Sequence, residues 1–460
     1  MLRRVARVLV MPLAAVAVLA VAGCGTASPP TPAAAGRPAA PSASHSAAAP
    51  AASSGCPAGA WAYDITAAGQ LAWRVTLPGS AGYTGARPVV VAGVAVFAQD
   101  NAIAAIRVSD GRLLWQRVFP NSGDFAPGTV YDLWSWHGAV IAQVGQVSPD
   151  GRVLSLNPDT GAVRWTLKTG ELLGTQAVTS NGVLAMLKTN GILQGADLTT
   201  GKLLWSRKFG TSDGPAAAGD VVVATKGGVV AGFSARTGAE LWSTDGMPNQ
   251  PTVTVRTATQ VLVSDLDPYG EPLPRLYPVT GLSAATGRSQ WAVTTAAPVT
   301  GVWAGSAGVV VTTAAAAGGQ PELLLINPAN GQVRWRVSGY ADAFVAPLIG
   351  ATDVVYAVSV PTSAKSHPGL DQVVDRSLST GQVRWSMTAA ADFLAQPSAS
   401  DLLMVAGGTS AVKVLTVDRA TGKVKATVTL PAMVSVAPVV TAGTTLVQSA
   451  FPACATTFAS

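Results

Sequence analysis

The chain has 460 residues, 12% of them charged and 48% apolar, with a formal charge of +6. Three of those positive charges are Arg3, Arg4 and Arg7, so the rest of the chain carries about +3 (6 minus 3). A balance that small, with no cluster of Lys or Arg, excludes a nucleic-acid binder that works by neutralising a phosphate track.

The three arginines open an N-terminal segment that continues with an apolar run from Val8 to Ala22 and closes on Val21-Ala22-Gly23-Cys24. The run is short for a spanning helix and ends in small residues, which predicts a signal peptide over residues 1–23. Val-Ala-Gly-Cys resembles the bacterial lipobox, where small residues admit the lipoprotein signal peptidase and the cysteine thiol carries diacylglycerol. The resemblance implies that Cys24 is the lipidated first residue of a protein anchored on the extracytoplasmic face of the cell membrane. A plain secretory signal with an incidental cysteine is the other reading. Residues 24–55 are almost wholly Ala, Pro, Ser, Gly and Thr. They have nothing to bury and are expected to be a disordered tether, reaching roughly 95 Å if fully extended at the polyproline rise. The richness in Ala, Gly and Arg suggests a GC-rich genome of the actinobacterial kind.

From residue 56 the chain repeats. Gly69, Gly111, Gly161, Gly201, Gly238, Gly287, Gly331, Gly381 and Gly422 are each followed four residues later by Trp73, Trp115, Trp165, Trp205, Trp242, Trp291, Trp335, Trp385 and, last, Ala426. The glycines lie 37 to 50 residues apart, about 44 on average, which is the length of one four-stranded propeller blade. Between them run short β-branched segments broken by turn residues, as in DVVVATKGGVVAGFSARTGAELW from Asp220 to Trp242. That alternation predicts strands and excludes a helical repeat of the same length. Asn157, Asp197, Ser234, Ser283, Asn327, Ser377 and Asp418 stand four residues before their glycines. Their side chains are placed to bond the backbone two residues on, while Gly accepts positive φ. Each Trp then falls on the following strand, where its ring is expected to cover the seam between neighbouring blades.

Eight complete four-strand sets fit between Arg87 and Leu430. Two strands are left over at one end, Ala60 to Leu77, and two at the other, Ala437 to Ala450. Joined, they close the ring in a ninth unit; a count of eight would leave one unit incomplete. The expectation is an all-β propeller over residues 56–460.

The pattern in DTGAVRW (Asp159 to Trp165), TTGKLLW (Thr199 to Trp205) and STGQVRW (Ser379 to Trp385) resembles the tryptophan-docking repeats of the PQQ-like β-propeller superfamily, over about residues 61–460. That superfamily, usually eight-bladed, includes quinoprotein dehydrogenases and outer-membrane-assembly lipoproteins. The dehydrogenases carry a vicinal Cys-Cys disulfide over the quinone, a Glu/Asn/Asp set on Ca²⁺ and a catalytic Asp. Here the cysteines stand singly at positions 24, 56 and 454, so the resemblance implies the fold and no cofactor. With Cys24 acylated, Cys56 and Cys454 are left at the two ends of the ring. In an oxidising compartment they are expected to form one disulfide, against two separate thiols.

Other chemistry is sparse. His45, His137 and His367 have no metal-ligand spacing. Asp265, Asp267 and Glu271 lack the length and terminal Glu of a calcium loop and are expected in a solvated one. No Gly-x-Ser-x-Gly motif offers a nucleophile elbow. Anchor, spacer and loop-rich ring without a catalytic constellation lead to a non-catalytic binding or scaffolding module, with a protein, peptide or cell-envelope glycan on one propeller face. The alternatives are a quinoprotein-like oxidoreductase that binds PQQ, and, in a cell with an outer membrane, a lipoprotein of the outer-membrane-assembly type.

Overall fold

The computed structural model describes residues 59–451, apart from 78–85, 121–126, 211–213, 248–250, 266–276, 316–319, 339–344, 360–370, 407–410 and scattered positions that include parts of 432–443. All of its regular elements are strands. Runs such as Val94–Gln99 and Ala139–Val144 are buried at every position. Their sequences, VAVFAQ and AVIAQV, have no polar alternation, as expected of strands covered on both faces. By contrast Leu113–Val118 and Val163–Lys168 alternate between exposed and half-buried positions. These are fourth strands, each with one edge unpaired.

The strands form nine antiparallel sheets among the described residues. Eight are contiguous in sequence and four-stranded, and we number them blades one to eight: residues 89–118, 130–168, 177–208, 216–244, 252–295, 299–338, 348–388 and 393–431. The ninth is composite. Its strands Gly59–Thr66 and Leu71–Leu77 join Ser435–Val436, Val439–Thr441 and Thr444–Phe451 from the other end of the chain. Gly59–Thr66 and Thr444–Phe451 pair over their full length, from Gly59↔Phe451 to Thr66↔Thr444.

The core lies in the seams. Ala62 and Leu77 of the closing sheet pack with Phe97 and Ile106 of blade one, and Tyr63 and Ile65 pack with Leu403 and Val405 of blade eight. Similar clusters join the other neighbours in turn, so the sheets form a closed β-propeller ring. First strands of neighbouring blades touch one another, which places them at the centre and the fourth strands at the rim.

Antiparallel order divides the connections between two faces. Turns from first to second and from third to fourth strand lie on one face and are short; only Ala92 and Gly93 separate Val91 from Val94. Connections from second to third strand, and from one blade to the next, lie on the other face. They include the long stretches from Leu77 to Val89, Ser264 to Tyr277 and Ser359 to Asp371.

Candidate functional site: seams and faces of the ring

On the short-turn face every blade repeats one turn. Asn157 Oδ1 accepts from the Asp159 amide at 2.9 Å, Asp197 Oδ1 from Thr199 at 2.8 Å and Asp418 Oδ1 from Ala420 at 3.1 Å. The shorter Ser234 and Ser377 reach one residue further, to the amides of Thr237 and Thr380. The turn ends in a glycine at positive φ, +70° at Gly422. A Cβ there would lie 2.6 Å from the Trp385 ring of the preceding blade, so the ring rests on bare backbone.

The same indoles reach across the seam with their Nε1–H. Trp73 donates to the carbonyl of Val108 at 2.8 Å, Trp115 to Pro158 at 2.6 Å, Trp205 to Ala235 at 2.6 Å and Trp242 to Ala284 at 2.8 Å. Trp291 donates to Pro328 at 2.8 Å, Trp335 to Leu378 at 3.2 Å and Trp385 to Arg419 at 2.8 Å. Trp165 lies against Gly201 of the next blade. Trp205, Trp242, Trp291 and Trp385 are buried, while Trp73, Trp115, Trp165 and Trp335 are half-buried. Seven of the eight Trp seams thus join apolar area to a directional bond whose acceptor would otherwise be left dry.

One seam departs from this. Ala426 of blade eight occupies the Trp place, and the Gly69 backbone of the closing sheet presses directly on its methyl group. This seam has no indole to dock.

A second departure is electrostatic. The residue that lends its carbonyl to the indole is Val108, Pro158, Ala235, Ala284, Pro328 or Leu378, but at the seam between blades seven and eight it is Arg419. Its guanidinium is buried and grips Asp353 with both arms, Nη2 to Oδ1 at 2.7 Å and Nε to Oδ2 at 2.9 Å. Arg384, one residue before Trp385, adds Nη1 to Asp353 Oδ2 at 3.0 Å and stands 3.3 Å from Asp375. Asp375 is wholly buried, and neither oxygen has a hydrogen-bond partner among the described residues. Burial, and then the neighbouring Asp353 charge, push its carboxyl up to about 6. Burial also opposes the charge of Asp353, but the Arg419 and Arg384 guanidiniums outweigh it and hold that carboxyl below its ordinary range.

Asp375 pairs with Trp385 across the sheet, and Asp64 takes the corresponding place opposite Trp73. Burial pushes Asp64 up to about 6. Elsewhere that place holds Ala105, Ser155, Gly195, Gly232, Gly281 or Leu325. Asp132, at the inner edge of blade two, is also raised to about 6 by burial.

Sequence reasoning named the Trp column but missed Asp353, Asp375, Asp64 and Arg419. For Asp375, Asp64 and Arg419 the signal is a charged residue in a column that is otherwise small or apolar; the column of Asp353 also holds Gln260 and Asp401. Cys24, Cys56 and Cys454 lie outside the described residues, as do His45, His367, Asp267 and Glu271; Asp265 is buried. His137 stacks on Trp136, centroids 4.3 Å apart, in a short turn with φ +41°. Among the described residues no three His, Cys, Asp or Glu gather closely enough to hold a metal ion, and no helix is long and apolar enough to cross a membrane. A shallow cleft of about 560 Å³ opens between blades one and two, lined by Arg107, Ser109 and Asp159 among others.

A family model described as "Outer membrane protein assembly factor BamB" matches residues 59–171 and again 149–268. A relative of that name from Yersinia pestis is 27% identical over 227 residues, covering 45% of this chain and 53% of the relative. Another, from Moranella endobia (strain PCIT), is 32% identical over 155 residues, covering 31% and 38%. The chain thus matches about half the length of one curated relative and less of the other. Among solved structures, the crystal structure of a eukaryotic initiation factor aligns with a TM-score of 0.56 at 12% identity, over 82% of this chain and 97% of that one. At that identity the likeness shows the fold alone.

Proposed function

The chain is a PQQ-like β-propeller, and on that premise we propose that it is a non-catalytic protein-binding module of the outer-membrane-assembly type. The observation that carries this reading is the paired match of residues 59–171 and 149–268 to the assembly-factor family, supported by two curated relatives of the same name. The division of the ring into a repetitive short-turn face and a face of long, dissimilar connections supports it physically. A rigid scaffold with varied loops on one side is how folds present a binding surface. The partner is a protein or peptide of the cell envelope, engaged on the long-loop face. The leader ending in Val21-Ala22-Gly23-Cys24 supports a lipid anchor at Cys24, with residues 24–55 as the tether that lets the ring reach that partner.

Photo-crosslinkers placed in turn at Asp150 on the long-loop face and at Thr199 on the short-turn face test the reading in the native membrane. Capture of a discrete envelope protein from the first position and not the second is the expected result. Capture from neither, or stoichiometric PQQ binding with turnover of an artificial electron acceptor, removes it. A source cell with no outer membrane would confine the role to scaffolding at the cell membrane. For the anchor, Cys24→Ala is expected to abolish lipid labelling and leave uncleaved precursor; a labelled mature form of that variant would refute lipidation at Cys24.

A further inference from the structure

Asp353 and Asp375 are presented on one face of blade seven by their register. Asp353 begins the second strand, Asp353–Ser359, and Val355 two residues on pairs with Asp375 of the third strand, Asp371–Ser377. Residues two apart share a face, as do directly paired residues, so the two carboxyls are diagonal neighbours. That face is turned to blade eight, because Arg419 of blade eight reaches Asp353.

The groups around Asp375 are few. On the second strand are Asp353 and Tyr356; beside it on its own strand is Arg376; on the fourth strand is Arg384; from blade eight comes Arg419. Arg376 is committed elsewhere, donating to Tyr356 Oη at 2.6 Å and to the Gly381 carbonyl at 2.7 Å. Arg419 is bound to Asp353 by two arms. Two cations act on Asp375: Arg384, 3.3 Å away, whose hydrogen bond Asp353 already takes, and Arg419, whose Nη1 has no hydrogen-bond partner among the described residues. One carboxylate is hydrogen-bonded by two arginines, and the other feels the charges of the same two without a hydrogen bond from either.

We propose that the seam between blades seven and eight is a proton-operated latch. With Asp375 neutral, Asp353 holds Arg384 and Arg419 undivided and clamps blade eight to blade seven; with Asp375 ionised, two buried carboxylates repel each other and compete for Arg384 and for the Arg419 guanidinium of blade eight, and the clamp slackens. Its place in the ring gives it leverage. The other side of blade eight is the seam where Ala426 stands in for Trp, so blade eight is docked by an indole on one side only.

The direction follows from the two carboxyls. Asp375 is raised from 3.8 to about 6, so its contribution is complete below the ordinary carboxylate value and is lost as pH rises through about 6. Asp353 is held low, so its contribution is present above the ordinary value and is lost only in stronger acid. The latch is tightest between roughly pH 4 and 6 and loosens toward neutrality.

Amide exchange of the whole mature protein at pH 5 and 7.5, corrected for intrinsic rates, tests this directly. Amides of Asp353–Ser359 and Val383–Thr388 are expected to lose protection relative to Val183–Leu187 of blade three. The loss should be of the order of tenfold to a hundredfold, the ceiling set by a displacement of about two pH units. Asp375→Asn should abolish the difference and remove one part of the fall in melting temperature across pH 6, leaving the parts due to Asp64 and Asp132. Uniform protection around the ring at both pH values, or a difference that survives in Asp375→Asn, overturns the proposal. Should that variant fail to fold, the wild-type exchange pattern decides alone.

Discussion

The seam between blades three and four and the seam between blade eight and the closing sheet solve the same problem in different materials. At the first, Trp205 lays its ring on Gly238 and donates to the Ala235 carbonyl. At the second, Ala426 meets the Gly69 backbone, and two sequence-distant strands are held by the ladder from Gly59↔Phe451 to Thr66↔Thr444. Side-chain docking secures a blade whose strands are already linked by hairpins. A sheet assembled from both chain ends needs main-chain pairing as well, because no hairpin links its second strand to its third.

The contrast can be broken most forcefully at the closing sheet. Cys56 lies three residues before Gly59 and Cys454 three after Phe451, near the two paired strands in sequence. A disulfide between them would span nearly the whole ring and on chain-entropy grounds would stabilise by at most about 5 kcal/mol. Cys454→Ser is expected to lower the melting temperature without changing export, and non-reducing peptide mapping of the parent should recover the two cysteines linked. Recovery of two unlinked thiol peptides would leave the closing seam to its ladder alone.

Next in size is the docked seam. Trp205→Ala should cost about 3 to 5 kcal/mol in denaturant unfolding, whereas Ala426→Gly, which removes only a methyl group from the closing seam, should cost about 1 kcal/mol or less. Equal costs would erase the distinction between the seams. Ala426→Trp restores the repeat in sequence, yet Gly69 is packed on the Ala426 methyl group and has to give way to the ring. It should destabilise by about 1 to 3 kcal/mol; a stabilised variant would show that the closing seam can open to admit it.

The smallest effect sharpens the comparison at the seam on the far side of the closing sheet. Asp64 is raised from 3.8 to about 6, so its contribution is complete below about pH 4 and lost as pH rises through 6. Asp64→Asn should therefore melt higher than the parent at pH 7.5, with the advantage vanishing at pH 4.5. An advantage that is the same at both values would assign the effect to packing.

Repetition decides which of these features a sequence discloses. The glycine and tryptophan columns, the Asx turns at Asn157 and Asp197, and the sharing of one sheet by both chain ends follow from a period counted along the chain. The Asp353–Arg419 clamp joins residues 66 apart, and nothing local couples them. Seeing it requires knowing that the second strand of one blade faces the third-to-fourth turn of the next. With the blades aligned, Arg419 stands out as a lone charge in the column of Val108, Ala235 and Leu378. The long connections were legible only as insertions, since composition fixes neither their conformation nor what they touch.

The closing ladder also has a mechanical side. Gly59 begins the third strand of its sheet and Phe451 ends the second, so both leave the ring on the long-loop face, where the other blades have a second-to-third connection. A load applied through the segment before Gly59 runs along a strand flanked on both sides, by Leu71–Leu77 and Thr444–Phe451. Such a load shears both ladders at once instead of unzipping either bond by bond. A propeller hauled by its N-terminal side would therefore yield abruptly and late, and would turn its long loops toward whatever is pulling.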